Sequence, residues 1–180
     1  MYLINGKEVT KEEFQIPVED LVIWRGDGIF EAIGIHQGFL FALEEHIERF
    51  KKSAQKMHFD NIDFDEIEKD LVRVASNYDS GYMRVIIGRG ASKEESKVYM
   101  FYQDPIPAPD YYSLQSHKAH WMSGGDFQID EVSNIAAKST SYAMNMSHTR
   151  LAEKEGFTDS LLLNKDNIVL EGPSFSVAWI

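Results

Sequence analysis

The chain has 180 residues, 43% of them apolar, enough to bury one good core or two small ones. Its formal charge of -11 argues against a nucleic-acid partner or an anionic membrane surface, because neutralising phosphates takes clustered Lys and Arg. It contains no cysteine, which excludes disulfides, thiolate catalysis and thiolate-ligated zinc.

The first ten residues, MYLINGKEVT, lack a basic segment followed by an apolar core, and no apolar run approaches membrane-spanning length. The default reading is a soluble cytoplasmic protein whose partners are small molecules or protein. Residues 1–4 form a short apolar strand, and Asn5-Gly6 turns the chain into a second strand over 7–10. Gly26-Asp27-Gly28 is turn chemistry leading into a strand over 29–35, and His36-Gln37-Gly38 reverses it into a strand over 39–43. Leu43, Ile47, Phe50, Ala54 and Met57 recur at helical spacing, and Ile67, Leu71, Val74 and Tyr78 mark a second helix. Strands follow over 82–87 and 97–102.

The stretch 104–109, DPIPAP, holds three of the five prolines and is the linker, with the domain boundary near it. Beyond it the pattern gives a strand over 119–122, a helix over 142–155 ended by Gly156, and a hairpin of strands 160–163 and 168–170. Residues 174–180 read as a further apolar strand.

Several features carry a functional label weakly. Arg25-Gly26-Asp27 spells an adhesion tripeptide but is better explained as a turn. His117 and His120 have a spacing that presents two imidazoles together, with no third ligand near in sequence. Gly88-Arg89-Gly90 could cradle an anion through backbone N–H groups, and Arg49, among Glu45, Glu48 and Lys52, reads by itself as a solvated helix charge. Lys138 is the unusual one. In IAAKSTSYAMN, residues 135–145, it is the sole charged residue between Glu131 and Arg150. Two readings stand at this point: a lysine capping a strand or lying along apolar surface, or a partly desolvated amine able to act as a nucleophile.

Taken in order, Gly26-Asp27-Gly28-Ile29-Phe30-Glu31, then Leu43-Glu44-Glu45-His46-Ile47-Glu48-Arg49-Phe50 with Ser53-Ala54, then Lys138 with Tyr142, then Glu171-Gly172, resemble the fold-type IV pyridoxal-phosphate enzymes. That family includes branched-chain aminotransferases, D-amino-acid transaminases and 4-amino-4-deoxychorismate lyases. The resemblance runs over the whole chain and is nearest to the branched-chain members. It implies an α/β fold, with an α+β N-terminal domain over 1–113 and the first part of a β-rich, cofactor-binding C-terminal domain over 114–180. It also implies a homodimer with pyridoxal 5′-phosphate between the domains. Lys138 matches the lysine that joins the cofactor covalently and shuttles the substrate's α-proton. Arg49 matches the phosphate-binding arginine, Glu171 the carboxylate facing the pyridine nitrogen, and Tyr142 the tyrosine on the ring's phenolic oxygen.

For the substrate the resemblance points two ways. Phe30 and Arg84 are like the branched-chain enzymes, whereas Arg89 lies where D-specific enzymes place a carboxylate-binding arginine and where the lyases often carry one. Ser176 departs from the asparagine of many members. The apolar tone of Ile29, Phe30 and Ile35 favours a hydrophobic L-amino acid with a 2-oxo acid acceptor. Family members continue well past the position of Ile180, so the chain is expected to lack the C-terminal part. A non-catalytic fragment that binds a partner through an open sheet edge is the rival from another class.

Overall fold

The computed structural model describes residues 1–91, 96–119 and 137–180. These form two compact units, one of residues 1–106 with 137–141 and one of 107–119 with 142–180. The units therefore part inside the proline-rich stretch, and the segment carrying Lys138 belongs to the first.

The first unit is built on a six-stranded sheet of β1 (Tyr2–Ile4), β2 (Lys7–Val9), β3 (Gly28–His36), β4 (Phe39–Leu40), β5 (Ser80–Gly88) and β6 (Lys97–Gln103). Its order is β2-β1-β6-β5-β3-β4, with every neighbouring pair antiparallel. Asn5 and Gly6 both take positive φ, +49° and +75°, the tight hairpin turn that a two-residue loop requires. Side chains alternate across β3 and β5: Ile29, Ile33, Ile35, Met83, Val85 and Ile87 are buried on one face. Against that face pack Ile47, Phe50 and Ala54 of α2 (Leu43–Lys56) and Ile67, Leu71, Val74 and Ala75 of α3 (Phe64–Ala75), making one apolar core.

Three local outcomes differ from the sequence pattern. A short helix, α1 (Leu21–Trp24), forms after Asp20, whose carboxylate accepts the Val22 N–H and caps it. The strand expected over 39–43 stops at Leu40: the Phe41 N–H still reaches the Gly34 carbonyl at 2.9 Å, the next rung of the same register, but Ala42 takes φ +49° and turns the chain into α2. Tyr78 falls past the end of α3, where Asn77 donates to the carbonyls of Arg73 and Val74, and its ring instead stacks on Tyr102.

The second unit holds a three-stranded sheet, β7 (Leu114–Lys118), β8 (Asp159–Leu163) and β9 (Val169–Glu171), with β7 parallel to β8 and β9 antiparallel to it. Helix α4 (Ala143–Lys154) precedes β8, and Gly156, at φ +85°, ends it. The strand expected over 119–122 falls earlier, in the mostly polar run LQSHK; Ala119 lies beyond it and 120–122 are outside the described residues. No strand forms over 174–180. The Gly172 N–H donates to the Phe175 carbonyl at 2.8 Å, closing a local turn in place of a ladder, and the fixed φ of Pro173 favours that turn. Among the described residues no helix is long and apolar enough to cross a membrane.

Candidate active site

Glu31 interrupts the buried row of β3. It stands between Ile29 and Ile33 on the helix-facing side and is 1% exposed. Burying a carboxylate there is costly unless it is paired and hydrogen-bonded. Helix α2 supplies the partners: His46 and Arg49, three apart and so on one face, both reach it. Arg49 donates from Nε to Oε1 at 2.7 Å and from Nη2 to Oε2 at 2.6 Å, a two-point fork, and His46 Nδ1 lies 2.8 Å from Oε2. Burial pushes the Glu31 carboxyl up, but the hydrogen bonds and charges of Arg49 and His46 outweigh it and hold the group below its ordinary value. The Arg49 side chain is 52% exposed, so it is held along one edge by Glu31 while about half of its surface stays accessible to solvent.

The Lys138 segment lies on the same edge of β3 as β4, along the stretch that β4 leaves unpaired. Since β4 pairs only with Ile35 and His36, the edge before them is left for residues 138–140. The Phe30 N–H donates to the Lys138 carbonyl at 3.0 Å, Ser139 bridges Ile29, and the Thr140 N–H donates to the Gly28 carbonyl at 2.9 Å. From α2, the buried Ser53 hydroxyl accepts the Lys138 N–H at 3.1 Å. Both backbone polar groups of Lys138 are thus bonded to different elements. Its amine lies 4.4 Å from the centroid of the Phe30 ring, on the opposite side of β3 from Glu31, since neighbouring residues of a strand face opposite ways. The approach depends on glycine. A Cβ at Gly28 would lie 2.6 Å from Val22 Cγ2 and 3.1 Å from Thr140 Oγ1, and Gly26 takes φ +63° while its carbonyl accepts from the Thr140 and Ser141 hydroxyls.

Arg84 lies in register with Ala32, on the face that carries Phe30, and donates from Nε to Gln103 Oε1 at 2.8 Å. Arg89 is elsewhere, 9% exposed at the end of β5. Its guanidinium donates to both Asp27 carboxylate oxygens at 3.2 and 3.3 Å and to the carbonyls of Met57 and His58 at 2.5 and 2.8 Å, and it lies over the Phe59 ring. The two short motifs noted in the sequence take their places here. The Arg89 N–H donates to the Asp27 backbone carbonyl and the Gly90 N–H to the Asp20 carboxylate, so both are taken up by groups of the protein itself. Asp27 of the Arg-Gly-Asp tripeptide is held by Arg89.

In the second unit, Tyr142 is the residue before α4 and its carbonyl accepts the Met146 N–H at 2.9 Å. Glu171 ends β9 opposite Leu162. One helical turn into α4, Asn145 donates to the Pro173 carbonyl at 3.1 Å, two residues after Glu171, and so ties the start of α4 to that turn. His117 Nε2 pairs with Gln115, His120 lies outside the described residues, and among the described residues no group of three His, Cys, Asp or Glu is placed to hold a metal.

Glu31, Ser53 and Asn145 were not singled out as site residues by sequence reasoning. Glu31 carried a readable signal, an acid in the middle of an isoleucine row. Ser53 and Asn145 act through single hydrogen bonds to distant backbone, which local sequence does not display.

The amino-transferase class IV family model matches residues 28–180. The chain belongs to that family, and its mixed α/β fold is the fold of the family's solved members. It is 30% identical over 171 residues to the bifunctional aminodeoxychorismate lyase / D-amino acid transaminase of Mycobacterium tuberculosis, covering 88% of this chain and 58% of that one. To the D-alanine aminotransferase of Bacillus licheniformis it is 28% identical, covering 97% of this chain and 63% of the relative. A solved structure described as a hypothetical aminotransferase from Mycobacterium tuberculosis, in its PLP-bound form, superposes with a TM-score of 0.84 at 26% identity, over 96% of this chain and 65% of that one. The chain thus spans about three fifths of the length of the curated relatives it matches.

Proposed function

We propose that this protein is a pyridoxal-phosphate-dependent aminotransferase that moves the amino group of a hydrophobic, branched-chain L-amino acid to a 2-oxo acid. The observation that carries the reading is Lys138: a half-buried residue whose amine lies over an aromatic ring, on a backbone fixed from both sides. The donor chemistry fits the cofactor. Lys138 is a primary amine for its aldehyde, Arg49 is a guanidinium already set at one edge for its phosphate, and Glu171 and Tyr142 are a carboxylate and a phenol for the ring's nitrogen and oxygen. Bound pyridoxal phosphate supplies an electron sink for bonds at an amino acid's α-carbon. Lys138 would take and return the α-proton, and Glu171 would hold the proton on the pyridine nitrogen.

For the substrate, Phe30 and Arg84 share one sheet face, an apolar ring for the side chain and a cation for the carboxylate. Arg89 would serve the substrate site through Asp27, by holding the turn that leads into Phe30. The partners are then small molecules, an amino acid and a 2-oxo acid, and the reading includes a cytoplasmic homodimer divided into domains 1–113 and 114–180. A second reading, a D-amino-acid transaminase or 4-amino-4-deoxychorismate lyase, is favoured by the activities named for the two curated relatives.

The test is to bind pyridoxal phosphate, reduce with borohydride and map the peptides. The phosphopyridoxyl mass is expected on Lys138 and lost in Lys138→Ala; a label on another lysine overturns the assignment of Lys138, and no label at all overturns the enzyme reading and leaves the non-catalytic one. Titrating the loaded protein with L-leucine and with D-alanine, and following the cofactor spectrum, separates the two substrate readings.

A further inference from the structure

Ser53 is buried on α2, at 2% exposure, one helical turn beyond Arg49. Its hydroxyl accepts the backbone N–H of Lys138, a residue 85 positions away. We propose that Ser53 is a positioning residue: it fixes the backbone from which the Lys138 amine swings, on the same rigid helix that carries Arg49. The proposal rests on the reading of Lys138 as the cofactor-bonding amine and Arg49 as the phosphate anchor.

The physical case is one of shared framework. A ligand with a reactive carbonyl at one end and a phosphate at another must meet an amine and a cation at a fixed separation. Small errors in such a separation cost large factors in rate, because an effectively unimolecular reaction depends on near-attack geometry. The Lys138 segment reaches its place through Phe30 and Gly28 of β3, and Arg49 reaches its own through Glu31 of the same strand. Ser53 adds the direct link between the Lys138 backbone and α2. With it, β3, α2 and residues 138–140 form a closed ring of contacts, Lys138–Phe30–Glu31–Arg49–Ser53–Lys138, in which each link is a hydrogen bond, a peptide bond or one helical turn. A serine whose task was only to fill space at a buried helix position would be better as alanine, which has higher helix propensity and no hydroxyl to desolvate.

The experiment measures how fast Lys138 is captured by pyridoxal 5′-phosphate and by pyridoxal, which lacks the phosphate, each trapped with borohydride and located by peptide mass. The variants are Ser53→Ala, Ser53→Thr, Ser53→Cys and Arg49→Ala. Ser53→Ala is expected to slow capture of both aldehydes about tenfold, since a part-buried N–H loses its acceptor and the amine its fixed base. Ser53→Thr restores the rate. Arg49→Ala, which also leaves the buried Glu31 without its fork, slows capture of the phosphorylated aldehyde more than capture of pyridoxal. Labelling of the exposed Lys52 is the internal control and stays unchanged throughout. If Ser53→Ala does not fold, Ser53→Cys, whose sulfur is a weak acceptor, decides in its place. Capture at the native rate in the folded variant, or equal slowing at Lys52, overturns the proposal. A label absent from Lys138 in the unchanged protein, or an Arg49→Ala rate equal for both aldehydes, overturns the underlying reading instead.

Discussion

Glu31 and Arg49 meet edge to edge, the carboxylate of a sheet residue taking Nε and Nη2 of a helix residue at 2.7 and 2.6 Å. The carboxylate is buried and the arginine side chain is half exposed, so the pair anchors a cation at the surface of the core. Because the folded-state pKa of Glu31 is depressed, the unfolded chain takes up the proton first as pH falls. The stability it contributes is complete above its ordinary value of 4.5 and is lost as pH falls through the lower folded value. We expect Glu31→Gln to be destabilised relative to the native chain at neutral pH, with the gap closing below that point. Urea midpoints measured along the acid limb check this; a gap independent of pH would show that the charge plays no part.

Gly28→Ala should unseat the Lys138 segment. The added Cβ would lie 3.0 Å from the Ile87 carbonyl, which is backbone and cannot turn away, and 2.6 Å from Val22 Cγ2. A cost of about 1 to 3 kcal/mol follows for overpacking at such a site. Hydrogen exchange at the Thr140 amide, which donates to the Gly28 carbonyl, reads the local effect, and protection equal to the native chain would contradict it.

Removing the charge at Arg89 should be among the most damaging single changes. Arg89→Met leaves the Asp27 carboxylate without its partner and the Met57 and His58 carbonyls without a donor. Breaking a fully buried pair by deleting one member costs about 3 to 5 kcal/mol, and the 30% exposure of the Asp27 side chain lowers the expectation here to about 2 to 3 kcal/mol. Thermal denaturation measures it. A loss below about 1 kcal/mol, the range of exposed pairs, would mean the guanidinium is held far more loosely than its contacts imply.

In the second unit, Asn145→Ala removes the bond to the Pro173 carbonyl and should cost about 0.5 to 1.5 kcal/mol. It should also loosen the turn that follows Glu171. Proteolysis within 171–175 is expected to quicken, and an unchanged cleavage rate would contradict the tie.

What the sequence displays and what it hides divide along physical lines. The hairpin at Asn5-Gly6 and the amphipathic stripes of α2 and α3 are local, set by turn chemistry and side-chain period, and they form as the pattern predicts. The family, likewise, is written in ordered motifs that a reader can recognise. Strand β7 escaped because its pairing with β8 is supplied from 45 residues away in register, Leu114 to Asp159, while its own residues are mostly polar. The apolar run at 174–180 misled for the converse reason, since hydrophobicity without a ladder partner does not make a strand. Among site residues, the polar contacts of Arg49 and Arg89 separate two arginines that look alike in sequence: one is half exposed on a helix, the other enclosed by a carboxylate and two carbonyls.

Strand β3 carries two kinds of chemistry on alternate residues, Glu31 toward Arg49 and Phe30 toward the Lys138 amine. Parity therefore becomes a constraint on change. Inserting or deleting one residue between Gly28 and Glu31 exchanges the faces of everything beyond it on that side, sending a carboxylate to the amine's side and an aromatic ring into the helix interface. Two residues at once would restore the faces but shift both contacts by nearly 7 Å along the strand. Length changes in this stretch are thus forbidden in both odd and even steps, whereas the turn at Gln37-Gly38, where the strand has passed both groups, is free of that arithmetic.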